Sequence, residues 1–305
     1  MLIFIIILFV ILIGITIFIV DYAFKNLVLA KRQTKEDAFN LLKTKGIYNI
    51  EDYNSLDIEE LNVKSNDGYK LKGYFIEKDK DCKKVMIIIH GYTANHFVSL
   101  QFVDMFLKDD FNVLLIDARS HGSSEGVYAS YGFYERDDLD LWVDLIRSKI
   151  GSDGKIGLMG QSMGASTVLM YGGAHEDKID FIIEDCGFSN GKEILKYQLK
   201  KVAHLPCKPF YYFINRRLRR KCLFSLDDVS PIDDIKDKEI PVLFIHGTED
   251  GTVPFSMGEE MFKIKKGNKN IFYKVEGAVH VGCYPKDKEK YKEAVYNFIN
   301  LALKD

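Results

Sequence analysis

Six short segments made almost wholly of apolar residues recur along this 305-residue chain: VMIIIH (85–90), NVLLID (112–117), KIGLMG (155–160), DFIIED (180–185), PVLFIH (241–246) and IFYKVE (271–276). A strand with one wet face alternates apolar and polar residues, whereas a strand covered on both faces does not. Such runs, separated by helical stretches, predict an α/β fold with a mostly parallel, doubly wound sheet and right-handed crossovers. Any functional site then belongs at the C-terminal ends of the strands. Ahead of these runs, two alternating segments, Glu60 to Ser65 and Tyr69 to Glu77, flank Asn66-Asp67-Gly68, which is the turn chemistry of an N-terminal antiparallel hairpin.

A second constraint lies at the N-terminus. Residues 2–20 contain 17 Ile, Leu, Phe or Val among 19 positions and no charge. At about −0.3 kcal/mol each, those side chains sum to roughly −5 kcal/mol in favour of membrane insertion. No Lys or Arg precedes the run and no small-x-small cleavage site follows Val20, so the segment reads as an uncleaved anchor rather than a signal peptide. Residues 1–24 are thus expected to be a transmembrane anchor, 25–49 an amphipathic helical stalk ending near Gly46, and 50–305 the main folded domain. Lys25, Lys31, Arg32 and Lys35 follow the span, and the positive-inside rule then places that domain in the cytoplasm.

Gly-x-Ser-x-Gly occurs three times, at GSSEG (122–126), GQSMG (160–164) and GFSNG (187–191), so the motif alone does not choose a nucleophile. The chemistry requires a sharp strand-to-helix turn, with glycines relieving the steric conflict and the serine held at a helix N-terminus. Ser162 meets this best. A buried-strand pattern runs into Gly160, and MGASTVLMYGGA after it is apolar almost all round, as a central crossover helix should be. Ser189 is the rival, between a strand and a Lys-rich helix; Ser124 follows several loop residues and precedes no helix start.

A serine hydroxyl needs a base to take its proton and a carboxylate to fix that base's tautomer. Of seven histidines, only His280 follows the last strand, in the short loop Gly277-Ala278-Val279-His280. Asp250, after PVLFIH in HGTEDGTVP, is the leading acid, with Asp185 and the adjacent Glu249 as alternatives. The oxyanion of a tetrahedral intermediate needs two preorganised N–H donors. The residue after the nucleophile, Met163, supplies one, and Tyr92 in the His90-Gly91-Tyr92 loop supplies the other.

HGYTAN (90–95), DARSHGSSEG (117–126), YGFYERDDL (131–139), GQSMGA (160–165), HGTEDGTVP (246–254) and GAVH (277–280) together resemble the α/β-hydrolase superfamily. More narrowly, residues 50–303 and the anchored layout are similar to single-pass bacterial esterase-, lipase- or serine-aminopeptidase-like hydrolases. The resemblance implies the fold, a Ser-Asp-His triad and hydrolysis of an ester, thioester or amide through an acyl-enzyme. It implies no particular substrate. A peptidase or amide hydrolase of the same fold, and a silent membrane interaction protein, are the alternatives.

Between Asp185 and Pro241 the strand rhythm fails for 55 residues, too long for a plain connection, so an inserted helical cap is expected at about 188–230. Residues 192–221 hold ten Lys or Arg against one acid, Glu193. This face reads either as solvated helix or as a surface that rests on anionic lipid head groups, in which case membrane lipids are partners through both the anchor and the cap. A formal charge of −2 argues against a nucleic-acid partner. The five cysteines are odd in number and widely spaced, so they are expected to be free thiols. No HExxH, clustered Cys/His set, Walker A or dinucleotide fingerprint occurs, and no metal or organic cofactor is expected.

Overall fold

A computed structural model describes residues 1–29 and 31–304. Eight strands form one sheet: β1 (Ile58–Lys64), β2 (Lys70–Ile76), β3 (Lys84–Ile89), β4 (Asn112–Ile116), β5 (Lys155–Gln161), β6 (Phe181–Asp185), β7 (Val242–Gly247) and β8 (Ile271–Val275). Their spatial order is β1-β2-β4-β3-β5-β6-β7-β8. β1 pairs antiparallel with β2, and β2 antiparallel with β4, while every pairing from β4 to β8 is parallel. The six apolar runs are the six parallel strands. The hairpin turn closes through the Ser65 N–H on the Tyr69 carbonyl, with Gly68 at φ +89°, a value that suits glycine.

Both faces of the sheet are covered, which is why β3 and β4 carry no polar alternation. Val85, Ile87 and Ile89 pack under helices Glu135–Ile150 and Met163–Ala174, against Trp142 and Val168. Met86 and Ile88 face the other way, onto Phe102, Phe106 and the C-terminal helix Lys288–Ala302 through Tyr291 and Phe298.

The N-terminal helix, α1 (Leu2–Val28), is long and apolar enough to cross a membrane. Most of its length is exposed, Phe9, Leu12, Ile13 and Ile17 line a cleft with Phe213, Arg216 and Arg220, and Val20, Phe24 and Val28 are buried at its domain end. The stretch 25–49, expected as a stalk, is divided. α1 continues through Val28, and a separate helix, α2 (Lys35–Thr44), starts at a Thr34/Asp37 capping box; residue 30 lies outside the described residues. α2 buries Phe39 and Leu42, with Phe39 stacked edge-on to Tyr53. Helical periodicity is legible there, but those apolar positions serve to dock α2 on the domain rather than to space the domain from the anchor.

After β6 the chain leaves the sheet for two cap helices, α3 (Gly191–Lys201) and α4 (Cys207–Cys222), and returns at Pro231. Ile194, Leu195, Ile214 and Leu218 turn inward onto Phe188 and the buried face of α1. The cap and the end of α1 therefore share one small apolar core above the sheet.

Candidate active site

β5 ends at Gln161, and the next helix starts at Met163, leaving Ser162 alone to make the turn at φ +53°, ψ −115°. A non-glycine residue in that region is strained, and only tight surroundings hold it there. Gly160 and Gly164 provide them. A Cβ on Gly160 would lie 2.2 Å from the carbonyl of Gly164, and one on Gly164 would lie 2.4 Å from the Ile89 carbonyl, so the helix can approach β3 only because both residues lack side chains. The Ser162 N–H donates to the Asp185 carbonyl at 2.8 Å, fixing the turn to β6.

Three loops from β5, β7 and β8 converge on this turn. His280 Nε2 is 2.9 Å from Ser162 Oγ, and His280 Nδ1 is 2.7 Å from Asp250 Oδ2. Asp250 is buried; its Oδ1 accepts the N–H groups of Thr252 and Val253, both at 2.8 Å. The carboxylate therefore takes three hydrogen bonds and has one oxygen directed at the imidazole. Tyr92 and Met163 border the same serine: both line the cavity that reaches Ser162, a Cβ added at Gly91 would stand 3.3 Å from the Ser162 side chain, and Met163 opens the following helix.

The other candidates are engaged elsewhere. Ser124 is buried, donates to the Asp117 carbonyl at 2.6 Å and accepts the Lys72 N–H at 2.8 Å, so it ties the early loop to β2. Ser189 is buried beneath the cap, and among the described residues no hydrogen bond joins it to a histidine. Asp185 accepts from Gln161 Nε2, Tyr291 Oη and Cys186 Sγ. Burial raises its carboxyl above the usual range. The Glu249 side chain is exposed. His90 and His246 organise loops: His90 Nε2 accepts the Ala118 N–H at 3.1 Å, and His246 Nε2 donates to the Val253 carbonyl at 3.0 Å. Burial lowers both imidazoles below their usual value. Cys186, Asp250 and His280 offer ligand atoms within 4.8 Å of one another, but those of Asp250 and His280 are already engaged in the hydrogen-bonded chain to Ser162.

Two chambers meet at Ser162. One, of about 230 Å³, includes Gln33, Lys45, Thr93, Gln101 and His280 in its lining. The other, of about 510 Å³, is lined by Met163, Phe188, Ile194, Leu195 and Leu199, and also by Tyr22, Ala23 and Asn26 of α1. Sequence reasoning named the three side chains that meet here, Ser162, Asp250 and His280, but not this wall, because nothing in an apolar helix marks which of its faces meets the site. It also missed the supports of the early loop. Asp117 accepts the His96 N–H and the Ser123 N–H, both at 2.8 Å, and lies 3.0 Å from His96 Nδ1. Glu135 accepts the Ser130 and Gly132 N–H groups, fixing the turn that carries Tyr131. In the cap, Arg217 pairs with Asp21 of α1 and Arg219 with Asp227, so part of the cationic run is internally matched.

A family model described as serine aminopeptidase, S33, matches residues 80–205. The protein YqkD of Bacillus subtilis is 36% identical over 283 residues, covering 92% of this chain and 92% of its own length. Among solved structures, the esterase Pf2001 of Pyrococcus furiosus superposes with a TM-score of 0.68 at 23% identity, covering 90% of this chain and 98% of that one. Est1E of Butyrivibrio proteoclasticus gives 0.63 at 22% identity, covering 79% and 98%. With the sheet order and the strained serine turn already described, these likenesses make the chain a member of the α/β-hydrolase superfamily, in the family that includes YqkD.

Proposed function

We propose that this chain is a membrane-anchored serine hydrolase that cleaves carboxylic esters, with Ser162 as nucleophile, His280 as general base and Asp250 as the acid that orients it. The observation that carries the reading is the unbroken path from Ser162 Oγ to His280 Nε2 at 2.9 Å and from His280 Nδ1 to Asp250 Oδ2 at 2.7 Å. With Nδ1–H donating to the carboxylate, Nε2 is left as an acceptor for the serine proton. Oγ then attacks the ester carbonyl, and the negative oxygen is met by the Tyr92 and Met163 N–H groups, each worth about 3 to 4 kcal/mol of barrier lowering. Collapse breaks the carbonyl–alkoxy bond, and the imidazolium returns its proton to the departing alcohol. Water repeats the sequence on the acyl-serine: His280 takes its proton, the acid leaves, and Ser162 regains its hydrogen.

The larger chamber supports an apolar acyl group, and the smaller one, where Gln33, Lys45, Thr93 and Gln101 stand among Leu41, Leu42 and Ile47, supports the leaving group. An aminopeptidase must hold a free α-ammonium group, and among the described residues no carboxylate lines either chamber. That favours an ester over a peptide. The apolar chamber and α1 also support acyl esters or thioesters drawn from lipid. The positive residues after α1 support a domain on the cytoplasmic side. Labelling of Cys82 or Cys207 by an impermeant thiol reagent on intact cells would overturn that placement. The test of the reaction is covalent labelling by a fluorophosphonate: the expected result is labelling lost in Ser162→Ala and kept in Ser189→Ala and Ser124→Ala. Labelling that survives Ser162→Ala rejects the nucleophile.

A further inference from the structure

The wall of the apolar chamber that faces the cap belongs to α1, the helix that is also long and apolar enough to cross a membrane. Val20, Phe24 and Val28, spaced four residues apart, are buried in the cap core. The neighbouring face turns Ile19, Tyr22, Ala23 and Asn26 into the cavity that ends at Ser162. Helices leave their last carbonyls without intrahelical partners, and here the catalytic domain supplies them. Tyr92 Oη donates to the Asn26 carbonyl at 2.6 Å, Tyr131 Oη to that of Leu27 at 2.8 Å, and the Ala129 N–H to that of Val28 at 2.9 Å. Tyr92 is the residue whose amide faces the developing oxyanion in the reading above. Arg217 of the cap pairs with Asp21, its guanidinium 4.9 Å from the Phe24 ring. A helix fastened at this many points is part of the catalytic domain rather than a loose tether.

Position along the helix axis then matters. The uncharged run ends at Val20 and the first charge is Asp21, while Arg216, Arg220 and Lys221 line a cleft with Leu12, Thr16 and Ile17, so this end of α1 faces the head-group edge of the bilayer. Phe18 and Ile19 contribute to the cavity at its membrane end, and Asn26 contributes beside the catalytic loop. A rise of 1.5 Å per residue separates Phe18 from Asn26 by about 12 Å. The cavity is rimmed there by Phe18, Tyr22 and Val202, all large and exposed. Such a rim is unfavourable in water and is at home against lipid.

We propose that α1 is a specificity-determining wall of the acyl site, and that the substrate is a single-chain membrane amphiphile. Its chain passes from the bilayer between α1 and the turn joining α3 to α4, and its ester carbonyl reaches Ser162. Its polar alcohol occupies the smaller chamber beside Gln33, Lys45 and Gln101. A second acyl chain has too little room at the serine, because the chamber on the leaving-group side is less than half the size. The inference rests on the serine-hydrolase reading, and its test separates the two.

The full chain in detergent micelles is assayed with p-nitrophenyl esters from acetate to palmitate, and with monopalmitoyl- and dipalmitoylglycerol. In the wild type, kcat/KM is expected to rise roughly fourfold per added methylene while the chain still gains burial. Monopalmitoylglycerol is expected to be cleaved at least tenfold faster than the diester. Ala23→Trp, which fills the chamber from α1, lowers the palmitate-to-acetate ratio of kcat/KM at least thirtyfold. Ile15→Trp, on the same helix but outside the cavity, leaves that ratio unchanged. A flat or falling wild-type profile, equal turnover of the diester, or a ratio that Ala23→Trp does not move overturns the proposal. If Ala23→Trp no longer takes a small fluorophosphonate, Ala23→Leu is judged by the same ratio. Failure of the wild type itself to label at Ser162 removes the serine-hydrolase reading instead.

Discussion

Replacing Asp250 with asparagine tests the triad through the position of a single proton. The carboxylate is an acceptor on both oxygens: Oδ2 takes His280 Nδ1–H at 2.7 Å, and Oδ1 takes two backbone N–H groups at 2.8 Å. An asparagine amide has one acceptor and one donor end. Thr252 and Val253 hold its oxygen where Oδ1 stood, because turning it over would set an NH₂ against two inward-facing N–H groups, at about 1–3 kcal/mol for each lost bond. The NH₂ therefore donates to His280 Nδ1, and the imidazole must carry its proton on Nε2. That nitrogen, 2.9 Å from Ser162 Oγ, can no longer accept the serine proton. A wrong tautomer of this kind costs roughly 10⁴ in kcat, or about 5.5 kcal/mol at 1.36 kcal/mol per decade. The loop keeps its hydrogen bonds, so the thermal midpoint should stay near that of the wild type while hydrolysis of p-nitrophenyl butyrate falls about 10⁴-fold in kcat, with little change in KM. Asp250→Ala frees the imidazole to choose its tautomer and should retain more activity than Asp250→Asn. An asparagine variant within tenfold of the wild type, or one more active than the alanine variant, would refute the reasoning.

Gly160→Ala should lower stability by more than about 3 kcal/mol and abolish fluorophosphonate labelling, since its Cβ would sit 2.2 Å from the Gly164 backbone; Gly251, with nothing within 4 Å of an added Cβ, should accept alanine with less than about 0.5 kcal/mol of change in thermal unfolding. Buried histidines should contribute one part of the pH dependence of stability, opposite in sign to that of the buried carboxyls of Asp138, Glu184 and Asp185, which burial raises. Burial pushes His121 down to about 4 and lowers His90 and His246 as well. Below the ordinary value near 6.5, the unfolded chain takes up protons that the folded chain refuses. The histidines' share of stability, present above that pH, is therefore lost as pH falls toward 4. His121→Gln should reduce the slope in that window by up to about 1.36 kcal/mol per pH unit, measured by chemical unfolding in detergent solution; an unchanged slope would show that His121 does not resist protonation.

The sheet was legible because burial on both faces removes the polar alternation from β3 to β7, and no other common structure needs apolar runs of that length at that spacing. The serine turn was legible for a similar reason: Gly160 and Gly164 are required by steric contacts between neighbours in sequence and across one strand pair. What one chain position demands of its near neighbours is written in residue type. The roles of α1 and α2 were not legible in this way. Phe39 and Leu42 obey helical spacing whether they dock on a domain or serve a stalk, and Ala23 looks like any other residue of an apolar span. Which face of α1 meets Ser162, and which surplus arginine finds Asp21, depend on contacts across more than a hundred residues. Periodicity fixes only that a helix has an apolar face; the partner of that face is set by packing, and packing is decided where the whole chain has closed.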